Sequence, residues 1–82
     1  MSTVVVPKSG GVASTKATVV RWLKHEGEPV KQGDLLVELE TEKVSYELGS
    51  PYEGVLVKIL AHEAMEVPVG DPLCQIGRLG EG

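Results

Sequence analysis

Residues 17–39 read ATVVRWLKHEGEPVKQGDLLVEL, residues 54–76 read GVLVKILAHEAMEVPVGDPLCQI, and the two stretches align without gaps at an offset of 37. Eight of the 23 paired positions are identical: Val20/Val57, Leu23/Leu60, His25/His62, Glu26/Glu63, Val30/Val67, Gly33/Gly70, Asp34/Asp71 and Leu36/Leu73. A fixed internal period is the signature of a repeat architecture, but two copies in 82 residues are too few to stack into an array. The copies are expected instead to close on one another about a pseudo-twofold axis. Residues 40–53 would then cross from one half to the other, and they carry the polar break Glu40-Thr41-Glu42-Lys43-Val44-Ser45.

Working outward, the apolar runs are short, rich in Val, Leu and Ile, and bounded by Gly, Pro and charged clusters, which is strand composition throughout. Strands are expected over residues 3–7, 18–23, 34–40, 44–48, 55–60 and 73–79, with a short extended piece near Val67. Residues 24–33 read as a polar loop. Val44, Tyr46 and Leu48 alternate with Ser45, Glu47 and Gly49, so the first three are expected to face the core. Seven or eight antiparallel strands in two matching halves indicate an all-β fold, a flattened barrel or sandwich of two antiparallel sheets. The turn at Glu42-Lys43 lacks the Asn-Gly or Gly pair of primed hairpins and is expected to be type I, which tolerates most side chains.

Composition bounds the function. At 82 residues the chain has room for one domain with a thin core, and with no Phe that core must be aliphatic. The expected extent is residues 1–79, with Gly80-Glu81-Gly82 read as the start of a flexible linker. A net charge of −4 argues against nucleic acid and against anionic membrane surfaces, both of which select basic proteins, and favours basic partners. No run reaches the roughly 20 apolar residues of a membrane span. The single Cys74 excludes a dithiol pair within the chain and suits a reducing compartment. The expected location is cytoplasmic, or the mitochondrial matrix if a transit peptide has been removed.

Lys43 is the leading candidate for chemistry, because an amine on a rigid hairpin tip between two halves is well placed for covalent attachment of a carrier group. His25 and His62 are each followed by Glu, but they occupy equivalent repeat positions and read as surface-loop residues inherited by duplication. Cys74 pairs with Val37 across the repeat and reads as a small buried hydrophobe. Trp22 pairs with Ile59 and reads as core. Glu38, Glu40, Glu42, Glu47 and Glu53 form an acidic concentration around the hairpin. It reads either as a solvated face or as a surface that steers basic partners.

Several segments together resemble the lipoyl domains of the E2 (dihydrolipoamide acyltransferase) component of 2-oxo acid dehydrogenase complexes, within the biotinyl/lipoyl superfamily. They are Gly11, Val20-Arg21-Trp22-Leu23-Lys24, Glu26-Gly27, Pro29-Val30, Gly33-Asp34, Leu39-Glu40-Thr41-Glu42-Lys43-Val44, Ser50-Pro51, Gly54-Val55-Leu56 and Val67-Pro68-Val69-Gly70. The resemblance implies lipoate in amide linkage on Lys43, flanked by Glu42 and Val44 where the family more often has Asp and Ala. It implies a non-catalytic carrier. Its partners would be a lipoate ligase or lipoyl transferase, the thiamine-dependent E1 decarboxylase, the E2 catalytic domain and the E3 dihydrolipoyl dehydrogenase. The His-x-x-x-Asp-Gly pattern of acyltransferase catalysis is missing. Gly11-Val12-Ala13 and Lys16-Ala17 depart from the family's usual loop, which bears on partner choice. Two rival readings are a biotin carrier domain of a carboxylase, whose lysine sits in Met-Lys-Met, and an unmodified binding module docking through its acidic face.

Overall fold

The computed structural model describes residues 2–7 and 15–78, so the expected linker at residues 80–82 and the departing loop at residues 11–13 lie outside the described residues. Eight strands follow one another: β1 (Ser2–Val5), β2 (Lys16–Trp22), β3 (Pro29–Val30), β4 (Leu35–Glu40), β5 (Ser45–Gly49), β6 (Gly54–Ile59), β7 (Glu66–Pro68) and β8 (Pro72–Gly77). They form two four-stranded sheets, ordered β1-β8-β6-β3 and β5-β4-β2-β7, with every pairing antiparallel. The all-β sandwich expected from the sequence is the fold.

One strand was not legible as such. β3 lies inside the stretch read as a polar loop, where Pro29 pairs with Val55 and Val30 with Gly54. Only two residues long, it leaves no alternation to detect, and its Pro29 sits at an edge strand where a missing N–H costs nothing. The repeat itself contained the missing information, because Val30 aligns with Val67 of β7.

Shifting by 37 residues carries β2 onto β6, β3 onto β7 and β4 onto β8, so one sheet maps onto the other with the same order. The irregularities map too. The register slips between Val19 and Arg21 on β2 and between Leu56 and Lys58 on β6, and the skipped residues Val20 and Val57 both turn outward. A bulge bends a strand and re-aims one side chain. Here the same bend serves both halves.

Between the sheets lies an aliphatic core drawn equally from the two copies. Val19/Leu56, Val30/Val67, Leu36/Leu73, Val37/Cys74 and Leu39/Ile76 are all buried. Each such side chain contributes about 1.5–3 kcal/mol when fully removed from water. Cys74 is fully buried as expected, and desolvation pushes its thiol from the ordinary 9.0 up to about 11. Trp22 is only half-buried: it packs against the core's margin and its indole N–H donates to the Ala61 carbonyl at 2.8 Å. The indole needs that partner once its nitrogen leaves water, and β2 ends too near the surface to cover the whole ring.

The halves also exchange backbone bonds. The Gly27 N–H donates to Leu56 O at 2.7 Å and its counterpart Ala64 N–H to Val19 O at 2.8 Å. Glu26 Oε2 accepts the Ile59 N–H at 2.8 Å, while Glu63 Oε2 accepts the Trp22 N–H at 3.4 Å. Each loop carboxylate thus satisfies a donor at the end of the other half's strand.

Candidate functional site

β4 and β5 run antiparallel from the Leu35/Gly49 pair to Glu40/Ser45, and residues 41–44 close them at the tip. The Thr41 N–H donates to Val44 O at 2.7 Å. The reverse bond, from the Val44 N–H, goes to the Thr41 hydroxyl at 3.2 Å, and that hydroxyl in turn donates to Val44 O at 3.0 Å. Lys43 N–H reaches the same oxygen at 3.4 Å. Among the described residues Ala64 alone combines a side chain with positive φ, so Glu42 and Lys43 keep negative φ and the tip is no primed turn.

Lys43 is exposed at this tip and its amine forms no ion pair among the described residues. Lys16 and Lys24, by contrast, are engaged with Glu66 at 3.1 Å and Asp34 at 3.7 Å. Glu42 is exposed beside it. Val44 corrects an expectation: it is 45% exposed, whereas Tyr46 and Leu48 pack against the core. Pairing begins at Ser45, so the alternation that aims Tyr46 and Leu48 inward does not extend to a residue that belongs to the turn.

A cleft of about 220 Å³ opens beside the tip, lined by Lys16, Thr18, Glu40, Thr41, Glu42 and Glu66. Glu66 comes from β7 and was not part of the acidic group expected around the hairpin. Sequence distance hid it, although β7 pairs with β2, and β2 with β4, bringing it to the same end. The expected group is in fact dispersed. Glu38 and Glu47 face each other across β4 and β5, where Arg21 Nε binds Glu38 Oε1 at 2.9 Å. Glu53 follows the far end of β5, beyond Gly49, away from the tip.

His25 and His62 sit in equivalent exposed loops, as the repeat required. In the first loop Glu28 Oε1 accepts the His25 N–H at 2.7 Å and lies 2.9 Å from Nδ1; these bonds hold the Glu28 carboxyl below its ordinary value. In the second, Met65 takes the place of Glu28 and its sulfur accepts the His62 N–H at 3.2 Å. No group of three or more His, Cys, Asp or Glu able to hold a metal occurs among the described residues. Lys43 was legible in the sequence as a lysine in a polar gap between the two copies. Thr41 was missed, and the only signal available was a hydroxyl residue at the start of the turn.

The sequence pattern of a biotin/lipoyl family described as "Biotin-requiring enzyme" matches residues 2–76. The dihydrolipoyllysine-residue succinyltransferase component of the 2-oxoglutarate dehydrogenase complex of Rickettsia felis is 42% identical over 82 residues, covering 100% of this chain and 20% of that protein. The dihydrolipoyllysine-residue acetyltransferase component of the pyruvate dehydrogenase complex of Mycobacterium bovis is 49% identical over 67 residues, 82% of this chain and 12% of its own length. The chain therefore spans a fifth or less of these relatives. Among solved structures, the lipoyl domain of the 2-oxoglutarate dehydrogenase complex from Azotobacter vinelandii has a TM-score of 0.74 at 29% identity, over 96% of this chain and 100% of that one. A multi-domain long-chain acyl-CoA carboxylase matches at a TM-score of 0.70 and 32% identity, over 84% of this chain and 7% of its own. On these matches the chain belongs to the biotin/lipoyl attachment family, and within it resembles throughout its described length the lipoyl domains of E2 acyltransferases.

Proposed function

We propose that Lys43 carries lipoate in amide linkage and that the domain ferries acyl groups and reducing equivalents between the enzymes of a 2-oxo acid dehydrogenase complex. The observation that supports this most is the exposed amine of Lys43, free of ion pairs among the described residues, at the tip of a hydrogen-bonded turn in a chain of the attachment family. The residues fit the group: Lys43 is exposed at the tip and its amine is held in no ion pair among the described residues, so nothing must be displaced to free it.

When bound, the lipoyl group supplies a disulfide that accepts an acyl group on reduction and is later reoxidised, chemistry that the one buried thiol of Cys74 cannot provide. The chain's own part is presentation. The sheets hold the hairpin rigid, the Thr41 bonds fix the tip, and Lys43 projects the arm to solvent. The partners of this reading are a lipoate ligase or lipoyl transferase, the E1 decarboxylase, the E2 catalytic domain and the E3 dehydrogenase. Tethering in one assembly would raise the local concentration of the arm at each of them.

Incubation with lipoate ligase, lipoate and ATP followed by intact-mass analysis tests the assignment. One lipoyl adduct is expected on the wild type and none on Lys43→Arg; an adduct on that variant overturns the assignment to Lys43. Amide formation removes one positive charge, taking the net charge from −4 to −5, so the product should also separate on anion exchange. The likeness to an acyl-CoA carboxylase chain favours a second reading, a biotin carrier. Faster modification by biotin ligase than by lipoate ligase would establish it over the first.

A further inference from the structure

Resting on the reading of Lys43 as the attachment site, we infer that Thr41 is the positioning residue for its modification: the Thr41 hydroxyl sets the geometry in which Lys43 is offered to the ligase. A threonine hydroxyl has one proton to donate and two lone pairs to accept with. All three are committed within this turn, to Val44 O at 3.0 Å, from Val44 N–H at 3.2 Å and from Lys43 N–H at 3.4 Å. The hydroxyl therefore replaces the backbone carbonyl that would ordinarily close a two-residue hairpin loop. Without it, the Thr41 N–H to Val44 O bond at 2.7 Å is the single closure left between the two ends of the turn. Neither central residue offers a substitute, since Glu42 and Lys43 are both exposed.

Position matters because of the bond being made. In the ligation the Nζ lone pair of Lys43 attacks the carboxyl carbon of adenylated lipoate, the bond from that carbon to the phosphate oxygen breaks, AMP departs with the electron pair, and the displaced Nζ proton passes to solvent. A nucleophile misplaced by an ångström can lose about a hundredfold in rate. A turn that must be ordered by the ligase also lowers the share of molecules ready to bind.

Thr41→Val keeps the shape and β-branching and removes the hydroxyl; Thr41→Ser keeps the hydroxyl. With lipoate ligase, Thr41→Val is expected to lose about tenfold or more in kcat/KM, and Thr41→Ser to stay within about threefold of wild type. Amide exchange should quicken at Lys43 and Val44 in Thr41→Val while Val37 and Leu39, buried in β4, keep wild-type protection. Acetylation of Lys43 by a small N-hydroxysuccinimide ester, which needs no ordered turn, should proceed at the wild-type rate. Ligation of Thr41→Val at the wild-type rate overturns the inference, as does failure of Thr41→Ser to restore it. An equal loss with the small ester also overturns it, by showing that the amine was merely hidden. If the wild type takes no lipoyl group on Lys43, the attachment reading itself fails and the inference falls with it, a result distinct from the others.

Discussion

Ala64 is the described residue with a side chain and a left-handed backbone, at φ 73, and its repeat partner is Gly27 at φ 93. A Cβ in this region costs about 1–2 kcal/mol, part of which is offset by the greater unfolded-state freedom of glycine. Ala64→Gly should therefore stabilise the fold by about 0.5–1 kcal/mol, raising the thermal midpoint by several degrees. Gly27→Ala should do the reverse, and equal midpoints for the pair would refute the strain. Gly54 is limited by space: a Cβ there would stand 1.9 Å from the Gly77 carbonyl oxygen, which is backbone and cannot swing away. Gly54→Ala should cost about 3 kcal/mol or more, measurable by urea unfolding. Little of this was legible in the sequence. Gly27 and Ala64 occupy the same place in the repeat, and nothing in a bare alanine announces a left-handed backbone; likewise Thr41 gave no sign that its hydroxyl closes the turn.

Among the elements, the two cross-half carboxylates differ in the strength of their bonds. Glu26 meets Ile59 N–H at 2.8 Å, Glu63 meets Trp22 N–H at 3.4 Å. Glu26→Ala should cost about 1 kcal/mol and Glu63→Ala distinctly less, read from thermal unfolding of the two variants side by side. The histidine loops diverge in another way. Glu28 is held below its ordinary 4.5, chiefly by the His25 backbone N–H and next by its ring, so the native state favours the charged carboxylate. Its contribution is complete above 4.5 and is lost as pH falls below that value through the lower native one. Amide exchange at His25, corrected for its intrinsic pH dependence, should quicken below 4.5 while His62, bonded to the sulfur of Met65, does not respond. Strand identity was legible wherever four or more residues alternated between core and solvent. It failed at β3, where two residues give no period, and at Val44, where a turn residue continues the pattern by accident.

At the scale of the whole molecule, the repeat foretold symmetry but not how thoroughly the copies interlace. Taking β1–β4 as one half and β5–β8 as the other, the first sheet places strands of the second half at its centre and of the first at its edges; the second sheet inverts this. Neither half owns a sheet. Both sheets draw on strands distant in sequence, which slows folding toward the millisecond-to-second range of all-β domains. The covalent link between the halves is the hairpin tip of residues 41–44. Cleavage between Glu42 and Lys43 should leave two fragments that stay together on size-exclusion chromatography and unfold in one transition whose midpoint rises with concentration. Each fragment alone should be unfolded by circular dichroism; a folded single fragment would contradict the interlacing.

The mapping that carries β4 onto β8 also carries the β4/β5 pair onto the β8/β1 pair, so Leu39 opposite Tyr46 corresponds to Ile76 opposite Ser2. The lysine turn closes the first of these ladders at residues 41–44. Ser2 and Ile76 therefore lie side by side at the same end of their ladder, and a pull applied to both parts β1 from β8 as a zipper opens, one rung at a time. Such a geometry resists weakly, because the rungs never share the load. The hairpin that bears Lys43, built on the other sheet, takes no part in that first opening, and tension can reach it only after the first sheet has begun to fail.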